Sequence, residues 1–176
     1  MSLNQIIEEW LEDTTQTLSI CGLNLTEWPK KLIGKENLIK NIDCSDNKLT
    51  SLPNNLTNLK KLYCSNNELT SLPNNLTKLE KLLCSFNKLT SLPNDLTELK
   101  ILYCYENELT SLPNNLFGLK KLICFDNKLT SLPNNLTKLI ILRCSNNELT
   151  SLPNDLTNLK ELICFNNQLF SNELDK

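Results

Sequence analysis

The chain has 176 residues, 40% of them hydrophobic and 22% charged, with a formal net charge of −2, figures ordinary for one globular domain with a sizeable core. It holds 40 Leu and 27 Asn but no Ala, Val or His, and 17 Lys against the single Arg143. Without His it lacks the commonest general base and zinc ligand, and an acidic balance with one Arg argues against a phosphate-tracking nucleic-acid surface.

Residues 2–13 predict an amphipathic helix. Ser2 and Gln5 fit a capping box, and Ile6, Ile7, Trp10 and Leu11 share one face. The opposite face carries Glu8, Glu9, Glu12 and Asp13. Membrane-surface helices are normally basic, so this acidic one is expected to cap the body of the fold rather than to bind lipid. The N-terminus has no basic region followed by an apolar one, and no apolar run approaches the roughly 18 residues of a membrane span. Neither a conventionally secreted nor a membrane-spanning protein is expected, and no membrane partner.

The body of the chain is repetitive. A degenerate unit runs Leu18, Ile20, Leu23, Leu25, Trp28, Pro29, Leu32. From Ile39 the pattern L-x-x-L-x-C-x-x-N-x-L-T-S-L-P-N-(N/D)-L-x-x recurs every 20 residues, starting at 39, 59, 79, 99, 119, 139 and 159. Positions within a unit are counted from that first Leu. The division expected is an N-terminal capping helix and entry over 1–17, a solenoid of about eight repeats over 18–169, and a C-terminal tail or truncated cap over 170–176, where either Phe170 and Leu174 close the core or the chain was cut from something longer.

Positions 4 and 6 alternate with 3, 5 and 7, the period of a short strand with one buried face. Pro at position 15 within T-S-L-P-N excludes a helix on the return path, so the outer side should be extended or turned. A unit buries about six apolar side chains worth roughly 1.5–3 kcal/mol each, while ordering 20 backbones costs roughly 1–2 kcal/mol apiece. One unit cannot fold alone; stability must come from stacking.

The motif Leu59-x-x-Leu62-x-Cys64-x-x-Asn67-x-Leu69 resembles the leucine-rich repeat family, and the resemblance covers residues 18 to 169. It is most similar to the short 20-residue L-P-x-x-L class of bacterial effectors and large DNA viruses, and Thr17 to Thr26 is similar to the first repeat of such effectors. The resemblance implies an α/β-horseshoe class solenoid with a concave parallel sheet, a largely extended convex side and a helical N-terminal cap. The sequence departs from the family pattern in two ways: Cys stands for Leu at position 6 of every regular unit, and Leu23 stands where the first unit should have Asn.

Seven cysteines, Cys44, Cys64, Cys84, Cys104, Cys124, Cys144 and Cys164, occupy the inward position 6. With no C-x-x-C and no His, zinc is not expected and no cofactor is assigned. A parallel ladder of such side chains reads as small hydrophobes in a reducing, intracellular compartment, which for an effector would be host cytoplasm. Cys21 should face the concave side or solvent and be the most reactive thiol. Asn47, Asn67, Asn87, Asn107, Asn127, Asn147 and Asn167 form a second ladder, which by the resemblance turns inward to bond backbone groups, a sensible use for a buried amide. Position 10 alternates Lys48, Glu68, Lys88, Glu108, Lys128, Glu148 before Gln168, so stacked neighbours carry opposite charge.

No catalytic constellation is present, and no enzyme is expected. Positions 11–16 barely change between units, whereas 3, 5, 7 and 8, read as concave, do. Six of the ten aromatic residues lie there: Tyr63, Phe86, Tyr103, Tyr105, Phe125 and Phe165. With Leu83, Ile101, Ile123 and Ile141 they form the expected partner-binding face, since solvent-facing strand positions have no folding reason to be so apolar. The expected partner is a protein or peptide. Alternatives are a substrate-recognition fragment of a larger ubiquitin-ligase-type effector, or a structural protein that self-associates; the chain is expected to be a monomer or to self-associate weakly through the concave face.

Overall fold

A computed structural model describes residues 1–169. Helix α1 spans Leu3–Glu12. It begins at the capping box: the Ser2 N–H donates to Gln5 Oε1 at 2.8 Å and the Gln5 N–H to Ser2 Oγ at 3.3 Å. Its apolar face packs on the first unit, with Ile7 fully buried and Trp10 5% exposed. The indole N–H of Trp10 donates to the Gln16 carbonyl at 3.2 Å, which ties the helix to the entry of the first strand. Burial of each such side chain contributes roughly 1.5–3 kcal/mol.

Eight strands make up the rest of the frame: β1 (Leu18–Ser19), β2 (Asn41–Asp43), β3 (Lys61–Tyr63), β4 (Lys81–Leu83), β5 (Ile101–Tyr103), β6 (Lys121–Ile123), β7 (Ile141–Arg143) and β8 (Glu161–Ile163). They pair in sequence order as one parallel sheet. Register is unbroken from β2 onward, each strand residue lying beside its equivalent 20 positions on, as in Leu62↔Leu82 and Tyr63↔Leu83. No helix covers the return path between successive strands from β2 to β8; it runs as extended segments and turns. The first unit alone uses short 3₁₀ turns, Lys30–Leu32 and Glu36–Leu38. The horseshoe architecture with its N-terminal cap is therefore as the sequence implies.

The core is a stack of leucines. Leu59, Leu62, Leu69 and Leu76 and their equivalents in the next three units are at most 1% exposed. The proposed closure by Phe170 and Leu174, and the tail over 170–176 with it, lie outside the described residues.

Candidate interaction surface

Beneath the surface two ladders fix the frame. Asn67 Nδ2 donates to the carbonyls of Cys44, Cys64 and Ser65 at 3.0–3.3 Å, and its Oδ1 accepts the Leu49 N–H at 2.9 Å. The set repeats at Asn87, Asn107, Asn127, Asn147 and Asn167. Each amide thus bridges its own unit and the one before it. Asn47 does this for the first unit, accepting from Leu23 and Leu25 at 3.1 and 2.9 Å. That explains Leu23: no strand precedes β1, so an Asn there would have nothing to bridge.

All eight thiols are free, and those from Cys44 to Cys144 are buried, with Cys164 half-buried at the end of the sheet. Burial pushes the Cys44 and Cys144 thiols up to about 12 and holds those of Cys64, Cys104 and Cys124 well above the ordinary value. Cys21 is exposed, but partial burial and the nearby Asp43 and Asp46 carboxylates raise it too, and its Sγ donates to Asp46 Oδ2 at 3.5 Å. Its exposure agrees with the sequence reading. The raised pKa lowers its thiolate fraction below that of a free cysteine, since thiol reactivity requires the thiolate, but leaves it the most accessible of the eight.

On the concave sheet, Leu83, Tyr103 and Ile123 lie side by side in one row, with Ile101 and Ile141 on either side of Lys121 in the neighbouring row. Lys81 Nζ sits 4.9 Å above the centroid of Tyr63, and Lys121 Nζ 5.1 Å above that of Tyr103, so two cations are held over the rings on this face. Ile123 corrects the sequence reading. It is only 6% exposed, because the long side chains of Tyr103 and Arg143 flank it in register. Tyr63, Leu83, Ile101, Tyr103 and Ile141 are half-buried.

Positions 7 and 8 require a second correction. They do not lie in the strands but on the bend after them, and every position 8 from Asp46 to Asn166 has φ of 52–56°. Only Gly, Asn and Asp adopt this left-handed backbone readily, and five of the seven are Asn or Asp. That bias is the signal the sequence reading passed over. Phe86 violates it: its φ is 54° and it remains 45% exposed. A bulky residue there costs about 1–2 kcal/mol relative to its ordinary conformation.

Phe86 belongs to a cluster on this rim. Its ring meets Tyr105 edge-on at 5.2 Å between centroids, and Tyr105 stacks on Phe125 at 4.4 Å and 16°. Elsewhere position 7 is Ser, save Phe165, which is 61% exposed near the end of the sheet. The hydroxyls of Ser85 and Ser145, flanking the Tyr105–Phe125 pair, are buried without a hydrogen-bond partner. Asn66 Nδ2 and Asn146 Nδ2 each donate to a position-8 aspartate, Asp46 and Asp126, at 2.7 Å. Further out, Glu68 pairs with Lys88 and Glu108 with Lys128 at 3.1 Å. Among the described residues no group of His, Cys, Asp or Glu could hold a metal ion, and no helix is long and apolar enough to cross a membrane.

This geometry is shared with known proteins. The Leucine Rich Repeat family profile matches residues 58–79 and 138–159. The LRR domain of a Shigella effector is 30% identical, with a TM-score of 0.82 over 98% of this chain and 78% of that one. YopM, a leucine-rich effector protein from Yersinia pestis, is 25% identical with a TM-score of 0.81 over 94% of this chain; the chain spans 53% of YopM's length. The functional domain of InlJ from Listeria monocytogenes, which includes a cysteine ladder, is 34% identical with a TM-score of 0.80 over 88% of this chain and 35% of that one. No curated protein matches the chain by sequence. The repeat, its asparagine ladder and these likenesses agree: the chain belongs to the leucine-rich repeat family and is similar to the repeat domains of bacterial effectors.

Proposed function

We infer that the chain is a non-catalytic module that holds a protein or peptide partner against its concave face and the adjoining aromatic rim. The observation that carries this reading is Phe86. A bulky ring kept in left-handed backbone, half in solvent and joined to Tyr105 and Phe125, has no folding role that Asn would not fill better. Aromatic clusters of this kind form interface centres, because they offer large contact area with few rotatable bonds. The lysines over Tyr63 and Tyr103, with Glu106 and Asp126 on the rim, supply charges suited to steering and register. The buried, reduced thiols favour action in a reducing compartment. The same face would select substrate if the chain were part of a longer ubiquitin-ligase-type effector.

The test restores the repeat consensus. Phe86→Asn, Tyr105→Ser and Phe125→Ser together replace each ring by the residue of neighbouring units, so the fold should survive. Affinity capture should lose the partners held by the wild type, while Asn114→Ala on the convex side keeps them. Undiminished capture by the triple variant would place binding elsewhere. Concentration-dependent sizing abolished by the same variant would identify the partner as a second copy.

A further inference from the structure

The opposite edge of the sheet carries a second surface. From three residues before each strand of β2 to β8 to that strand's first residue, the sequence places ten lysines, Lys40 to Lys160, against three glutamates, Glu80, Glu98 and Glu161. That is a net of +7 in a chain whose total is −2, so the remaining residues sum to −9. Two of the glutamates are already committed, Glu80 to Lys100 and Glu161 to Arg143, both at 2.6 Å. Among the described residues no other of these ten lysines is ion-paired, and with Lys81 and Lys121 lying over the concave rings of Tyr63 and Tyr103, seven are left along the edge without an ionic or ring partner.

One repeat breaks its pattern at this edge. Where other units have Leu-Thr, as in Thr57, Thr77, Thr97, Thr137 and Thr157, one unit has Phe117 followed by Gly118. Phe117 is 57% exposed. With Gly118 it lines a shallow depression of ≈ 410 Å³ whose other walls include Lys100, Lys120, Lys138 and Glu98. A β-carbon at Gly118 would lie 3.3 Å from the Leu99 carbonyl oxygen, closer than an ordinary contact. Other units carry Asn58, Lys78, Glu98, Lys138 and Asn158 at this position, so the glycine leaves this unit without a side chain beside the ring.

We propose that this edge docks on an anionic lipid bilayer, with Phe117 entering the headgroup region and the lysine row lying along the surface. Parallel strands in register put their N-terminal ends in one plane, and six strand spacings of about 4.8 Å spread the row over about 29 Å. A flat, negatively charged surface can meet all of it at once. Lysine is a compact charge that makes no directional demand, unlike the Arg that tracks nucleic-acid phosphates, and Arg is absent from this edge. An exposed Phe between Lys100, Lys120 and Lys138 gains nothing from polyphosphate but gains burial in a bilayer. In this orientation the strands stand across the membrane surface, and the aromatic rim at their far ends stays free. The sequence expectation of no membrane partner rested on the acidic N-terminal helix and the lack of an apolar span, neither of which bears on charge segregated to one edge of the sheet.

Co-sedimentation with vesicles tests this. Wild type should pellet with phosphatidylcholine vesicles containing phosphatidylserine, not with phosphatidylcholine alone, and added salt should release it. Phe117→Thr, the residue of the other repeats, should weaken partition about tenfold or more. Lys120→Glu with Lys138→Glu should weaken it more than about 100-fold. Lys88→Glu, on the opposite rim, should change little. Failure of wild type to pellet, or equal pelleting of all variants, overturns the proposal. So does tight binding of a short DNA duplex that Phe117→Thr leaves intact, since the edge would then be a nucleic-acid surface.

Discussion

Position 6 is Cys in all seven regular units, whereas position 8, two residues further along, is filled by four residue types. The contrast comes from what each side chain touches. An inward residue packs against its own image in the units before and after, so any change is felt at both interfaces. A rim residue meets its neighbours only sideways and keeps a solvent-facing side. The interior therefore specifies the fold, and the two rims, one aromatic and acidic, the other basic, are free to carry recognition.

The largest expected effect is on the interior. Burial raises the folded-state pKa of six thiols, to about 12 for Cys44 and Cys144. A raised pKa means that the protonated form is favoured by folding. Stability is fully present below the unfolded value near 9 and is lost as pH climbs towards 12. With six thiols at about 1.4 kcal/mol per pH unit each, the loss is on the order of 8 kcal/mol per unit in that window. Circular dichroism melts should show cooperative unfolding close to pH 10; a fold that persists unchanged to pH 11 would break the distinction between interior and rim.

Asn107→Ala sharpens it next. Four hydrogen bonds to backbone groups end on this buried amide, and stranded partners cost about 1–3 kcal/mol each. A loss of at least about 3 kcal/mol in urea denaturation is expected. The exposed convex Asn114→Ala should stay within about 0.5 kcal/mol of wild type.

The smallest effect belongs to the rim. Phe86→Asn relieves about 1–2 kcal/mol of backbone strain and loses an aromatic contact worth about 0.5–1.5 kcal/mol. Net stability should hold or rise slightly. A clear fall would mean that the Phe86 ring is part of the core.

Much of the fold was legible in the sequence because the repeat states it seven times over, and the capping box at Ser2 marks the helix start as clearly. The surface was less legible. Positions 7 and 8 read as concave because their variability matches that of 3 and 5, yet they sit on the bend, where the left-handed backbone aims side chains along the rim. Ile123 read as exposed because alternation assigns a face, not a depth; its burial comes from two side chains on neighbouring strands, 20 residues away in either direction. The basic edge escaped notice for a related reason, its lysines being spread one or two to a repeat and cancelled in the total by acids elsewhere.

By itself, then, the sequence determined the solenoid, its register and its inward ladders. Periodic burial and one Asn per unit admit a single stacking, and every local preference agrees with it. Only the tertiary structure decided which variable residues meet. Stacking brings residues 20 apart to within a strand spacing, so it alone joined Phe86 to Tyr105 and Phe125. The same stacking gathered scattered lysines around Phe117 on the other edge, because proximity across repeats depends on the three-dimensional register and not on any local run of residues.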